Sequence, residues 1–381
     1  MTRRLVVASL EAWDGVWRRN QYLVDGLLRA DARLEVLFLE PPSDPLHDAL
    51  NRRRPRRGRG LRVGGYDGRL LLHQPTKALP RLAGPAADAL LVRSIRRAVR
   101  RLGWGDGALW VNDPGAAPLA EALGWPVVYD VTDDWVRADR GGREHERIAA
   151  ADRLLLTGSA EVVVCSPGLA YTKGVNRTVH LIPNAVDVER YRVERARPAD
   201  LPDGPVALYV GTLHEDRLDI DLVLRTADAA RAAGGSVALV GPNALSVRNR
   251  ERLVGHAGLV MLGPRDRDEV PAYLRSAHVL LVPHVVTAFT DSLDPIKLYE
   301  YLAVGRPIVS TPVAGFRDED RDEPRPAVVE ADVFPAAVAR YLSAWHPPRE
   351  YRNVPDWKDR VSAFDAVLQA AGESVASGAD A

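Results

Sequence analysis

Cysteine is almost absent. The single Cys165, in the apolar run EVVVCS, excludes an internal disulfide, fits a reducing compartment and reads as a core-packing residue. Net charge is absent too: 51 basic and 51 acidic side chains cancel, so no overall field draws nucleic acid or an anionic surface to the chain. No apolar stretch approaches the ~20 residues that cross a bilayer. The opening MTRRLVVASLEAWDG holds too short an apolar segment for a secretion signal. A soluble, cytoplasmic protein is expected, without nucleic acid as a partner. The histidines show no zinc-ligand spacing. The D-x-D strings at 266–268 and 318–320 read as a helix cap and a solvated loop, so no metal site is expected. A nicotinamide site is disfavoured as well, because the first strand leads into EAWDGVW and not into a G-x-G-x-x-G turn, and RGRGLRVGG follows no strand.

What is present is length and pattern. A chain of 381 residues suggests two domains. In the first half, apolar runs at 5–10, 34–39, 108–111, 127–129, 162–165 and 179–182 alternate with amphipathic stretches such as WRRNQYLVDGLLRA and AADALLVRSIRRAVRRL. The polar, proline-bearing RVERARPADLPDG then intervenes, and the pattern restarts with VALYVG, SVALVG, GLVMLG, VLLVPH and PIVSTP. Strand, helix, strand in succession implies parallel sheets covered on both faces. The expected fold class is therefore α/β, with two facing Rossmann-like doubly wound domains and a ligand cleft at the carboxyl ends of their strands. The expected division is 1–190, 191–350 and a terminal segment 351–381 whose amphipathic part, DWKDRVSAFDAVLQAA, returns to the first domain. GESVASGADA is expected to be a disordered tail.

The stretch DSLDPIKLYEYLAVGRPIVSTP, residues 291–312, carries the chemistry. A polar turn and a proline lead into a helical pattern whose amino end would favour an anion. Lys297 adds a cation one turn in. Glu300, an acceptor-only carboxylate, can take two hydroxyl hydrogen bonds from a ribose. An ordinary surface helix with an i, i+3 Lys and Glu pair explains the same spacing, and spacing alone does not separate the two.

The segment PIKLYEYLAVGRPIVSTPVAG resembles the donor-binding signature of the family-4-like glycosyltransferases (glycosyltransferase group 1) with the GT-B fold, in which P-x-K-L-x-E-Y-L-A-x-G-x-P is common. Four further stretches are similar to that family in order and spacing: PVVYDVTDDW, LIPNAVDVERY, ALYVGTLHEDRLDIDLVLRTA and LVMLGPRDRDEVPAYLRSAHVLLVPH. The resemblance implies a donor domain in the second half and an acceptor-side domain in the first. It implies that Glu300 binds the ribose, and that the earlier acid of the family's pair is replaced by Ser292, with Asp291, Leu293 and Asp294 beside it. The arginine of V-G-R-L is Thr212 here, while the following lysine position holds Arg217, so Arg217 and Lys297 are the expected diphosphate cations. Gly263, Pro264 and Arg265 align with the loop that meets the base. The loop of Trp13, Asp14 and Gly15 aligns with a glycine-bearing loop beside the phosphates and acceptor. The family's usual histidine aligns with Thr132, which leaves Asp130, Asp133 and Asp134 as carboxylates to test; capping of the following helix remains the alternative for them.

The expected activity is transfer of a sugar, of hexosyl type, from a nucleotide-diphosphate-sugar to a small-molecule or glycan acceptor. The resemblance implies retention at the anomeric carbon, with no metal and no cofactor beyond the donor. Inversion with Asp133 as base, an epimerase of the same fold, and a non-catalytic nucleotide-sugar-binding module are the alternatives. The basic run NRRRPRRGRGLR, with Arg52 to Arg62, reads as a mobile, solvated loop by default, with a weak contact to an anionic membrane surface or to an acidic acceptor as the alternative.

Overall fold

The structure is a computed structural model describing residues 2–50, 52–80, 83–137, 142–287, 290–317 and 326–378, without the side chains of Ser292 and 374–378. The string at 318–320 lies outside the described residues. The chain divides into two compact units, one of residues 1–14, 19–183 and 358–381, the other of 15–18 and 184–357.

The first unit holds the strands β1 (Arg3–Ala8), β2 (Leu34–Leu39), β3 (Gly60–Gly65), β4 (Leu70–Gln74), β5 (Ala108–Val111), β6 (Val127–Val131), β7 (Glu161–Val164) and β8 (His180–Leu181). They form one sheet in the order β3-β4-β2-β1-β5-β6-β7-β8. The runs LVVA, VLFL and VVYDV are buried on both faces, as helix-covered parallel strands must be. One correction concerns the edge. β3 runs antiparallel to β4, joined through a turn in which Tyr66 and Asp67 adopt positive φ. The glycines of GLRVGG hide this strand from a propensity reading. The basic run therefore ends in a strand instead of a mobile loop, and Arg59 and Arg62 are drawn onto buried Glu40 at 2.8 and 2.7 Å.

The second unit holds β9 (Val206–Val210), β10 (Ser236–Val240), β11 (Leu259–Gly263), β12 (Val279–Val282), β13 (Ile308–Ser310) and β14 (Ala327–Val328), in the order β11-β10-β9-β12-β13-β14, parallel throughout. The strand order reverses between β9 and β12. A doubly wound sheet binds ligands outside the carboxyl ends of its strands at such a switch.

The terminal helix Trp357–Gly378 groups with the first unit from Lys358 onward. It packs there by placing Phe364 on Trp110, ring centroids 4.5 Å apart, and Val361 over Gly26, where a Cβ would meet Val361 Cγ2 at 2.3 Å. The helix runs through Gly378, so most of GESVASGADA is helical, contrary to the disorder expected from its small, polar composition. Among the described residues no helix is long and apolar enough to cross a membrane.

Candidate functional site

The carboxyl edge of the second sheet is built for close approach. Gly211, Gly241 and Gly263 stand at the ends of β9, β10 and β11, all with positive φ. Their backbones interlock: Gly211 N donates to Val240 O and Gly241 N to Gly263 O, both at 2.9 Å. A Cβ on Gly241 would lie 2.1 Å from Gly211 O, so only glycine fits.

Across the switch, β12 is followed by Pro283 and His284. The loop after β9 zips onto this end, Asp219 N donating to Pro283 O and Val285 N to Arg217 O, each at 2.9 Å. That pairing is what brings the Arg217 segment beside His284. Thr311, just past β13, donates its hydroxyl to His284 O at 2.8 Å and holds the turn from the other side.

The helix Ile296–Val304 completes the site. Leu298, Tyr301, Leu302 and Val304 bury one face, and Gly305 ends the helix in the left-handed conformation. Pro295 is its N-cap and no side chain caps it, which leaves first-turn N–H groups without a partner inside the helix. Asp291 and Ser292 are not at this helix start: they lie on a separate 3-10 turn, Thr290–Ser292, because the pyrrolidine of Pro295 and the extended backbone before it postpone the helix. Asp291 pairs with Arg317 at 2.9 Å, Leu293 is buried, and the Ser292 side chain lies outside the described residues. Asp294 accepts from Tyr299 Oη at 2.6 Å and from the Asn184 amide, and its carbonyl accepts from Asn184 Nδ2 at 2.6 Å. That last pair ties the PNAVD segment to the DSLDP turn.

Lys297 sits between glycine and aromatic surfaces. Its Nζ lies 3.9 Å from the Tyr209 ring centroid and 3.2 Å from His284 Nε2, and the space where Gly211 lacks a Cβ is 3.0 Å from it. Tyr209 Oη lies 3.3 Å from the same His284 nitrogen. Burial, then the Arg217 charge, pushes the Lys297 ammonium down to about 7, with Glu300 opposing. Burial, then Lys297 and Arg217, holds His284 well below the usual imidazole range, so it is a neutral acceptor. The Arg217 charge thus disfavours the Lys297 ammonium in a buried corner, an electrostatic state that an anion relieves.

One turn on, Glu300 Oε1 accepts from Tyr191 Oη at 2.5 Å. Tyr191 comes from the short helix Val188–Arg192, capped by Asp187, whose Oδ1 accepts from Arg190 N. Burial raises the Glu300 carboxyl, and the Tyr191 hydrogen bond and Lys297 pull it back. His284, Tyr191 and Tyr209 were not among the expected site residues. Their signals lie in the quoted motifs: Tyr191 closes LIPNAVDVERY, and His284 is the first residue past the proline that ends VLLV.

Other expected residues have different surroundings. Arg265 donates to Tyr273 Oη at 2.6 Å and to Leu262 O at 2.7 Å, and it pairs with Asp200. Thr212 O accepts weakly from Tyr209 Oη at 3.5 Å. In the first unit, Asp130 is fully buried and clasped by Arg19 with three contacts of 3.0–3.2 Å, so its carboxylate is a structural ion pair. Asp134 is likewise buried, between Lys173 at 3.2 Å and Arg137 at 3.3 Å. Asp133 is only partly buried and accepts from Thr132 Oγ1 at 3.4 Å. Trp13 packs edge-on against Phe38, centroids 5.1 Å apart, and Asp14 is exposed. Gly15 groups with the second unit, its carbonyl accepting from Arg267 N at 3.0 Å.

Comparison with known proteins matches this architecture. Residues 204–345 match the family described as Glycosyl transferases group 1. TuaH of Bacillus subtilis, assigned as a glycosyltransferase of teichuronic acid biosynthesis, is 24% identical over 219 residues, 53% of this chain; the match spans about half of that relative, 55% of its length. Among solved structures, sucrose-phosphate synthase from Thermosynechococcus elongatus superposes with a TM-score of 0.63 at 17% identity, covering 98% of both chains. HepE of Anabaena, solved with UDP-glucose, gives a TM-score of 0.57 at 14% identity over 99% of this chain and 100% of its own. The match to Glycosyl transferases group 1 thus covers residues 204–345, in a chain whose two α/β units have the GT-B fold.

Proposed function

We propose that this chain is a hexosyltransferase that takes its sugar from a UDP-sugar and passes it, with retention and without a metal, to a hydroxyl of a small-molecule or glycan acceptor. The observation that carries the reading is the group at the switch point: Lys297 on the Tyr209 ring, Arg217 beside it, and Glu300 held by Tyr191. HepE, solved with UDP and with UDP-glucose, supports the choice of donor.

In this reading the diphosphate lies against Lys297, Arg217 and the uncapped amino end of the helix Ile296–Val304, and Glu300 Oε2 accepts the ribose hydroxyls. As the bond from the anomeric carbon to the diphosphate oxygen breaks, negative charge grows on that oxygen, where the two cations and the helix N–H groups lower its energy. The acceptor oxygen bonds to the anomeric carbon from the same face and gives its proton to the departing phosphate. The first unit holds the acceptor. Its cavity at the ends of β1, β2 and β5, bordered by Glu40, Asp88 and Asp113, is the proposed acceptor region.

The test is incubation with a panel of UDP-sugars and hydroxyl acceptors, following UDP release and the anomeric coupling of the product by NMR. A retained product supports the whole reading. An inverted one overturns retention and brings Asp133 forward as the base, whereas a new donor stereoisomer without acceptor marks an epimerase.

A further inference from the structure

The amino edge of the second sheet carries a second basic site. Arg195, Arg197, Arg275 and Arg306 line one cavity of about 420 Å³ with Trp345, and the acid beside them is Glu194. Arg275 and Ser276 precede β12 and Arg306 precedes β13, so the cavity lies at the opposite end of these strands from His284 and Lys297. A four-residue strand with its flanking turns puts on the order of 20 Å between the two ends.

Two of these arginines, Arg306 and Arg197, meet carbonyls instead of carboxylates. Arg306, 5% exposed, donates to Arg275 O at 2.8 and 2.5 Å and to His346 O at 2.8 Å, with its guanidinium stacked 3.6 Å from the Trp345 ring centroid. Arg197 donates to Ser276 O and Pro202 O at 3.2 and 2.5 Å. Carbonyl partners fix a guanidinium in place but leave its charge in full, and among the described residues none of the four arginines forms an ion pair. His278, set edge-on to Trp345, is pushed down by burial and then by Arg306 and Arg197, which reports the same excess of positive charge. Two guanidinium groups fixed by carbonyls, Arg306 and Arg197, with Arg195 and Arg275 lining the same cavity, match the oxygens of a phosphoryl group, which arginine forks bind in two-point fashion. We propose that this cavity binds the phosphoryl group of a small anionic ligand at a site separate from the donor site.

The probe is inorganic pyrophosphate, titrated calorimetrically into the full chain carrying Lys297→Met, which silences the donor diphosphate site. One equivalent is expected to bind and to weaken about tenfold or more on adding Arg195→Ala and Arg275→Ala, side chains that brace nothing else. Absence of binding in the Lys297→Met background, or binding indifferent to the two arginines, overturns the site. Phosphatidylglycerol vesicles form a second arm. Vesicle retention that is lost with the same arginines assigns the phosphoryl group to a lipid headgroup, and pyrophosphate binding without vesicle retention assigns it to a soluble ligand.

Discussion

The Tyr191 hydroxyl donates to Glu300 Oε1 at 2.5 Å, so the last residue of the LIPNAVDVERY stretch sets the orientation of the carboxylate proposed to hold the ribose. Tyr191→Phe removes that donor but keeps the ring in the core. Donor affinity is expected to fall roughly threefold to tenfold, the size of one hydrogen bond, with the fold intact. Calorimetry with UDP measures it; an unchanged affinity means that the tyrosine only fills space.

Lys297 occupies a place that favours function over stability. Burial and Arg217 disfavour its charged form, so Lys297→Met is expected to stabilise the unliganded protein by about 1–2 kcal/mol while abolishing UDP binding. The sign has a pH signature. With a folded pKa of about 7 against an ordinary 10.5, the folded state binds fewer protons than the unfolded chain between those values, so wild-type stability rises with pH across that window. The advantage of the methionine variant should shrink over the same range. Denaturant titrations of both proteins at several pH values test this, and a lysine variant that loses stability at neutral pH contradicts it.

The same lysine makes donor binding pH-dependent. Below about pH 7 it is already charged when the diphosphate arrives; above that it must take up a proton on binding. Affinity should therefore fall by up to about tenfold per pH unit as pH rises above 7, with proton uptake visible as a buffer-dependent heat. His284, held neutral, adds no titration in this range. A flat profile from pH 7 to 9 removes Lys297 from the phosphate site.

Gly241→Ala places a Cβ 2.1 Å from Gly211 O at a φ of 144°. The β9 and β10 ends must separate, which is expected to cost about 2–3 kcal/mol and to disorder the edge that carries Lys297. Thermal unfolding and UDP binding should both suffer, whereas Gly263→Ala, with open space around its Cβ, should be milder.

Asp130 and Asp133 separate cleanly. Asp130→Asn leaves Arg19 as a buried charge without its partner, which costs about 3–5 kcal/mol. Asp133→Asn, at a carboxylate that is only partly buried, is expected to cost far less stability than Asp130→Asn, so a loss of turnover out of proportion to it speaks to chemistry.

The second unit was legible because its motifs are runs of adjacent residues. The strands β9 to β12 each run into a glycine or proline, and Lys297 and Glu300 sit on one helix, closed by Gly305, whose period the eye can follow. The first unit was less so. Nothing local in YDVTDDW distinguishes Asp130, whose partner Arg19 is 111 positions away, from partly buried Asp133. The β3–β4 edge escaped for a similar reason, since GLRVGG takes its strand conformation from pairing with LLLHQ and not from its own residues. His284 is defined by contacts to Lys297 and Tyr209, which sequence order keeps far apart.

The most direct measurement compares UDP with its 2′,3′-dideoxy analogue in wild-type and Glu300→Ala proteins. If Glu300 holds the ribose, the wild type prefers UDP by about tenfold or more, and the preference vanishes in the variant. An equal preference in both proteins would show that the ribose hydroxyls are bound elsewhere, and the proposed donor site would be wrong.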